Sequence, residues 1–261
     1  MKITLSAKQP SKISCDLQIL FVSPSWKEEI AFLGNEVVQL LADVSLLENF
    51  TGKDSQTLFI DTPNLAAKRI LLYGIGETSV TSIYKLQNTL AKAITIAAKA
   101  RRKRVALSPY HAWTKKFSSE TIAKVVSETF FLSTYHFDKY KGVKHHQEKT
   151  EIEEFILLTN PSRLSSFEKG VNLGKIYSQA TILARDLVNE PANITTPSYL
   201  AKVASNLAKE TDIKVTILEK EEMEKLGMNC ILGVSQGSDS PPKFIKLVYR
   251  SRTPLKKIVI V

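Results

Sequence analysis

The sequence predicts an α/β protein built in two parts. Three observations carry that expectation. Short apolar runs alternate with segments of helical periodicity between Ile3 and Leu158. A turn-rich stretch at 160–165 then breaks the pattern, and a long helical pattern follows it. Beyond Pro191 and Pro197 a second, shorter set of helical and strand-like runs resumes. Strands separated by helices imply a sheet with helices on its faces, at least partly parallel.

In chain order, residues 3–5 read as a short strand and 17–22 as a buried one, because a compact apolar run suits a strand covered on both faces. Residues 57–60, 69–73, 105–107 and 155–158 complete the first set. Between them, Ile83, Leu86, Leu90, Ile94 and Ala97 recur at steps of three and four, and Ile122, Val126 and Phe130 at steps of four. Both are amphipathic helix patterns. After the break, Phe167, Val171, Leu173, Ile176, Ala180, Leu183 and Leu187 stay in helical step. Thr196 is placed to cap the next helix, with Pro197 at its first position, where a missing N–H costs nothing. Residues 214–218, 244–248 and 257–261 read as strands, and 231–234 as a candidate fourth. The run at 258–261 is apolar throughout, as in a central parallel strand. A domain rarely ends inside such a strand, so the chain is expected to be part of a longer one.

Composition excludes several classes. Of 261 residues, 43% are hydrophobic and 24% charged, which is the balance of a globular chain. Two cysteines, Cys15 and Cys230, are too few for a disulfide scaffold or a cysteine-rich zinc module. No secretory signal or membrane-spanning stretch is visible, which gives a cytoplasmic protein with no membrane partner as the default reading. The net charge is +10 and uneven. Lys99, Arg101, Arg102, Lys103, Arg104, Lys115 and Lys116 stand together with no acid among them. Such a run attracts polyanions, nucleic acid included. The plainer account is a solvated helix end, where cations meet the negative end of the dipole.

Other candidate residues are weaker. The histidines are His111, His136, His145 and His146. Adjacent histidines diverge on either type of element, so His145 and His146 make a poor pair of ligands. No His-Glu-x-x-His or Cys-x-x-Cys spacing exists, and no Gly-x-Ser-x-Gly elbow. Cys15 and Cys230 each adjoin a strand-like run and read as inert packing. Gly74-Ile75-Gly76 follows a strand and could offer N–H groups to a phosphate, but two glycines equally make a tight turn. The stretch Gly233-Val234-Ser235-Gln236-Gly237-Ser238 is glycine-rich, and as a flexible loop it could border an active site, a weak signal alone.

Two blocks carry a family resemblance. Arg185-Asp186-Leu187-Val188-Asn189-Glu190-Pro191-Ala192-Asn193-Ile194-Thr195-Thr196-Pro197 resembles the entry to the catalytic domain of the leucyl aminopeptidases, the cytosol aminopeptidase family of two-metal exopeptidases. Gly227-Met228, then 232–238, Pro241-Pro242 and 244–249 resemble that family's next block in order and spacing. The N-terminal part is similar only in plan, through residues such as 71–76. Asn229 stands where the family often has glycine, and Cys230 where it often has a small residue.

The resemblance implies an N-terminal macro-like α/β domain over 1–162, a linking helix over 163–190, and the start of an α/β metallopeptidase domain over 191–261. It implies two divalent ions, manganese or zinc, that activate a water, polarise the scissile carbonyl and anchor the peptide's free amino group. It also implies peptide substrates and a homohexamer. In the family the first ligating lysine follows a strand like 258–261, and the other ligands and catalytic residues come later. No catalytic or metal-binding residue is therefore carried onto this chain, which is expected to bind no metal and to be inactive alone. The alternative readings are a DNA- or nucleotide-binding module resting on the basic run, and a regulatory subunit without peptidase activity.

Overall fold

The computed structural model describes residues 1–77, 82–142, 151–253 and 256–260. Its contacts divide the chain into two compact units, Met1–Ala184 and Arg185–Val261. Each is taken by itself below.

The first unit is built on a six-stranded sheet: β1 Lys2–Ser6, β2 Leu17–Val22, β3 Thr57–Asp61, β4 Arg69–Gly74, β5 Arg104–Ser108 and β6 Glu154–Leu158. Their spatial order is β1-β6-β5-β2-β4-β3. All neighbours run parallel except β3, which pairs antiparallel with β4 at the edge. All six expected strands of this region form. β2 is buried at each of its six positions, which is why it is apolar throughout rather than alternating. Its pleat sends Leu17, Ile19 and Phe21 into one apolar layer, and Leu20 and Val22 into the layer on the opposite face.

The helices are α1 Trp26–Glu29, α2 Asn35–Leu47, α3 Ile83–Lys99, α4 Trp113–Lys116, α5 Ser119–Ser133 and α6 Leu164–Asn189. α3 starts where Ser82 accepts a hydrogen bond from the Lys85 N–H at 3.2 Å, and α5 where Ser118 accepts from Thr121 N–H at 3.1 Å. Each satisfies an N–H that the first helical turn leaves open. Leu86, Leu90, Ile94 and Ala97 of α3 and Ile122, Val126 and Phe130 of α5 are fully buried, the stripes their periodicity predicts. Phe130 stacks on Phe155 of β6 with ring centroids 4.4 Å apart.

α6 meets α5 through Gly170 and Gly174. A Cβ at Gly170 would lie 2.2 Å from the Glu120 carbonyl oxygen, and one at Gly174 2.4 Å from that of Lys124. The two backbones approach because no side chain separates them. Ser127 Oγ donates to the Val171 carbonyl at 2.9 Å across the same contact.

The second unit holds α7 Pro197–Glu210, β7 Lys214–Leu218, α8 Lys220–Lys225, α9 Asn229–Ser235 and β8 Phe244–Val248. β7 and β8 pair antiparallel. Thr196 caps α7 as expected, accepting from Tyr199 N–H at 3.3 Å. Two expectations fail here. Residues 231–234, read as a candidate strand, lie within helix α9. A four-residue apolar run carries no phase, so periodicity cannot separate strand from helix. Residues 256–260 form no strand, and Ile258, Val259 and Ile260 are exposed. No strand among the described residues pairs with them, and an apolar run becomes a central strand only between partners. Val261 lies outside the described residues.

Candidate functional site

In open α/β sheets, ligands bind beyond the carboxyl ends of the parallel strands. In the first unit the exits of β1, β6, β5, β2 and β4 lie along that edge. Glu29 of α1 stands there as an acceptor. It takes hydrogen bonds from Ser23 N–H at 2.8 Å, Ser23 Oγ at 2.5 Å and Tyr110 Oη at 2.5 Å. Burial raises the Tyr110 phenol well above its ordinary pKa, and the bond to the Glu29 carboxylate raises it further. The phenol therefore stays protonated and donates. The arrangement ties the exit of β2 to that of β5; it does not shuttle a proton near neutral pH. Sequence reading missed it, because Glu29 and Tyr110 are 81 residues apart and belong to no motif.

The glycine turn behind β4 has its N–H groups spent. Gly74 N–H donates to the Gln56 carbonyl at 2.8 Å, Ile75 to Val22 at 2.8 Å and Gly76 to Gly52 at 3.1 Å. A Cβ at Gly74 would lie 2.1 Å from the Lys53 carbonyl oxygen, and Gly76 has φ +67°. These glycines allow backbone to pass close to backbone. They make the tight turn, and these three N–H groups are not open to a phosphate.

The basic run does not form one patch. Lys99 ends α3, Arg101 sits in the left-handed region at φ +53°, and Arg104 opens β5, so residues 99–104 lie at the amino edge of the sheet. Lys115 and Lys116 end α4, beyond the carboxyl end of β5. The length of β5, roughly 15 Å at the usual rise per residue, separates the two groups. Two of the cations are also paired. Lys103 Nζ is 2.7 Å from Glu153, and Arg104 Nε is 2.9 Å from Glu154. Lys2 lies 3.8 Å from the same Glu154.

Asp16 completes this charged edge. It accepts from Arg104 N–H at 3.0 Å and lies 3.5 Å from Lys68 Nζ. Partial burial pushes the Asp16 carboxyl up, but the Arg104 N–H and the Lys68 charge outweigh it, and the net shift is downward. The Arg104 side chain holds Glu154 below its usual range, helped by Thr4 and Lys2.

The remaining candidates stand apart. His111 packs its ring 4.7 Å from that of Tyr110 and is exposed, as is His136. His145 and His146 lie outside the described residues. Cys15 is buried beside β2, and burial pushes its thiol up to about 11, which leaves it inert at neutral pH. Cys230 is different from expectation: it lies in α9, not beside a strand, and is exposed. Among the described residues no group of three His, Cys, Asp or Glu could hold a metal ion. The described residues do not fit a metal centre.

In the second unit the motif-bearing residues have backbone duties. Ile194 N–H donates to the Pro191 carbonyl at 2.8 Å, and Thr195 Oγ1 to that of Leu187 at 3.1 Å. These bonds turn the chain from α6 towards the Thr196 cap. Gly227, at φ +67°, ends α8, and Met228 N–H returns to the Met223 carbonyl at 3.0 Å. Lys243, just after Pro241-Pro242, pairs with Glu219, the residue that opens α8 with a capping box.

Two family models match this chain in sequence order. The cytosol aminopeptidase family's N-terminal domain matches residues 23–144, and that family's catalytic domain matches residues 182–261. The chain belongs to the cytosol aminopeptidase family. A probable cytosol aminopeptidase of Alkaliphilus metalliredigens is 31% identical over 258 residues, covering 95% of this chain and 51% of the relative. One from Aquifex aeolicus is 32% identical over 220 residues, covering 84% and 42%. The chain thus spans about half the length of the cytosol aminopeptidases it matches.

Solved structures agree on the fold. A tomato leucine aminopeptidase mutant superposes with a TM-score of 0.81 at 23% identity, covering 98% of this chain and 52% of that one. The bottromycin maturation enzyme BotP gives 0.69 at 22% identity, covering 90% and 46%. The α/β architecture expected from the sequence is therefore shared with leucine aminopeptidase over nearly all of this chain. No helix among the described residues is long and apolar enough to cross a membrane.

Proposed function

We propose that this chain is the N-terminal portion of a metal-dependent leucyl aminopeptidase, which releases N-terminal amino acids from peptides. The observation that carries the reading is the ordered match of two domains of one family, at 23–144 and 182–261. The residues here build a scaffold. The first unit supplies a sheet whose exits are tied by Glu29, and the second supplies the opening elements of the catalytic part. Because the described side chains do not fit a metal site, no step of hydrolysis is assigned to them. We place the metal ligands and the catalytic side chains in the half of the family's length that this chain does not match. A neighbour in the fold, BotP, is known in complex with Mn, which makes manganese the first ion to try, with zinc second. A homohexamer is the assembly proposed for the whole protein.

The test is release of leucine from a fluorogenic leucine amide by the protein as its native cell makes it. Release that disappears with a chelator and returns with Mn2+ or Zn2+ supports the reading. No release with either ion, across several N-terminal residues, overturns it. Residues 1–261 produced alone should release none. Turnover by that chain would show that it carries its own chemistry.

A further inference from the structure

Helix α6 carries a second apolar face that the described residues leave largely open. At about 3.6 residues per turn, its side chains fall on three faces. The first holds Phe167, Gly170, Gly174 and Ser178, which are buried, and its two glycines lie against α5. The second is polar: Asn172, Lys175 and Gln179, at steps of three and four, are exposed. The third is apolar: Leu173, Ile176, Ala180 and Leu183 recur at steps of three and four. Ile176 is 59% and Leu183 41% exposed; Ala180 is exposed and Leu173 half-buried. A helix that covers a core on one face normally turns polar residues to the rest of its circumference. Single exposed aliphatic residues are ordinary, whereas a row of them in helical step marks a contact surface.

We propose that this face is the seat of the segment that follows Val261 in the full-length protein, docked within the same polypeptide. The inference rests on the aminopeptidase reading above. Two observations choose this occupant. The match to the family's catalytic domain begins at residue 182, inside α6, so the end of the helix that carries Leu183 already belongs to that domain. The relative from Alkaliphilus metalliredigens is matched over 51% of its length, so it holds about as many residues again outside the matched stretch. The domain that starts on α6 therefore has a further half with which to bury this row. The polar face sets the limit of the contact. Asn172, Lys175 and Gln179 stay in water, so the segment covers one side of the helix and not its whole circumference.

The test uses the full-length protein, with a photoreactive diazirine side chain in place of Ile176 or, separately, of Gln179. Light should join position 176 to a residue beyond 261, read by mass spectrometry of the digest. The joined product should keep the mass of one chain on a denaturing gel. Position 179 should give several-fold less product. Leu183→Lys should lower the melting temperature by several degrees, while Gln179→Lys leaves it in place.

A product of twice the chain mass from position 176 assigns the face to a second copy and overturns the proposal. No product from position 176, products confined to residues 1–261, or an unchanged melting temperature in Leu183→Lys overturns it as well. Should Leu183→Lys fail to fold, the product from position 176 decides. Leucine release by the same preparation separates this inference from the reading beneath it. Release without a join beyond Val261 removes only the docking; a join beyond Val261 without release removes only the aminopeptidase.

Discussion

At the scale of single residues, the first unit is held at its two sheet edges by different chemistry, and each gives a prediction. At the carboxyl edge, Tyr110 donates to Glu29 at 2.5 Å from a buried position. Hydrogen bonds to charged partners are worth about 1.5–3 kcal/mol, and the half-buried Glu29 places this one at the lower end. Tyr110→Phe keeps the ring against Trp113 and removes only the donor. It should lower stability by about 1.5 kcal/mol in denaturant unfolding; an unchanged midpoint would show that the bond contributes nothing. At the amino edge, Asp16 and Glu154 have pKa values below their ordinary ones. A depressed carboxylate adds stability that is present above its unfolded pKa, near 4, and is lost as pH falls through its folded value. Acid titration of the melting temperature should therefore show a loss beginning near pH ~4. The double variant Asp16→Asn with Glu154→Gln should flatten that loss. An identical acid profile in the variant would remove these two residues from the account.

At the scale of elements, the contact between α5 and α6 inverts the usual rule for glycine in a helix. Alanine normally stabilises an exposed helix interior by about 1 kcal/mol relative to glycine. At Gly170 and Gly174 the added Cβ would meet backbone carbonyl oxygens of α5 at 2.2 and 2.4 Å, which cannot swing aside like a side chain. Gly170→Ala and Gly174→Ala should each destabilise, by about 1–3 kcal/mol as overpacking does. A gain in melting temperature would mean that the helices do not approach this closely.

The elements also show what the sequence made readable. The strands of the first sheet were legible because burial on both faces writes them as short apolar runs, and β2 is the clearest case. The helices were legible because their buried stripes keep helical step, and Thr196 marked the start of α7; the caps at Ser82 and Ser118 were not read. Residues 231–234 were not, since a run that short fits either element. The Glu29–Tyr110–Ser23 arrangement left no signal, because it is made by tertiary folding across β2 and β5. The basic run, read either as a solvated helix end or as a polyanion site, is contiguous in sequence only: Arg104 opens β5 and Lys115 follows its far end.

At the scale of the whole molecule, burial is distributed unevenly between the two units. Among the described residues, the apolar clusters, from Ile3 to Val171, lie within Met1–Ala184. Among the described residues of Arg185–Val261, the buried apolar side chains are Ala201, Ala204 and Met223. Val234, Tyr249, Ile258 and Ile260 are 71–93% exposed. A unit this size stands only if it removes much more apolar surface from water, at roughly 25 cal/mol per Å². The proposed aminopeptidase supplies a reason: the unmatched half of the family's length would bury these residues against its own strands. Hydrogen exchange can read this directly. In residues 1–261 produced alone, amides of β2, β4 and β5 should be strongly protected while those of β7, β8 and 256–260 exchange quickly. In the protein from its native cell, β7, β8 and 256–260 should gain protection to the level of the first sheet. Equal protection of β8 in both would show that the second unit is stable by itself, and the placement of the catalytic half against it would fall. Rapid exchange of β8 in both would count equally against that placement, because a completed α/β sheet protects its inner strands.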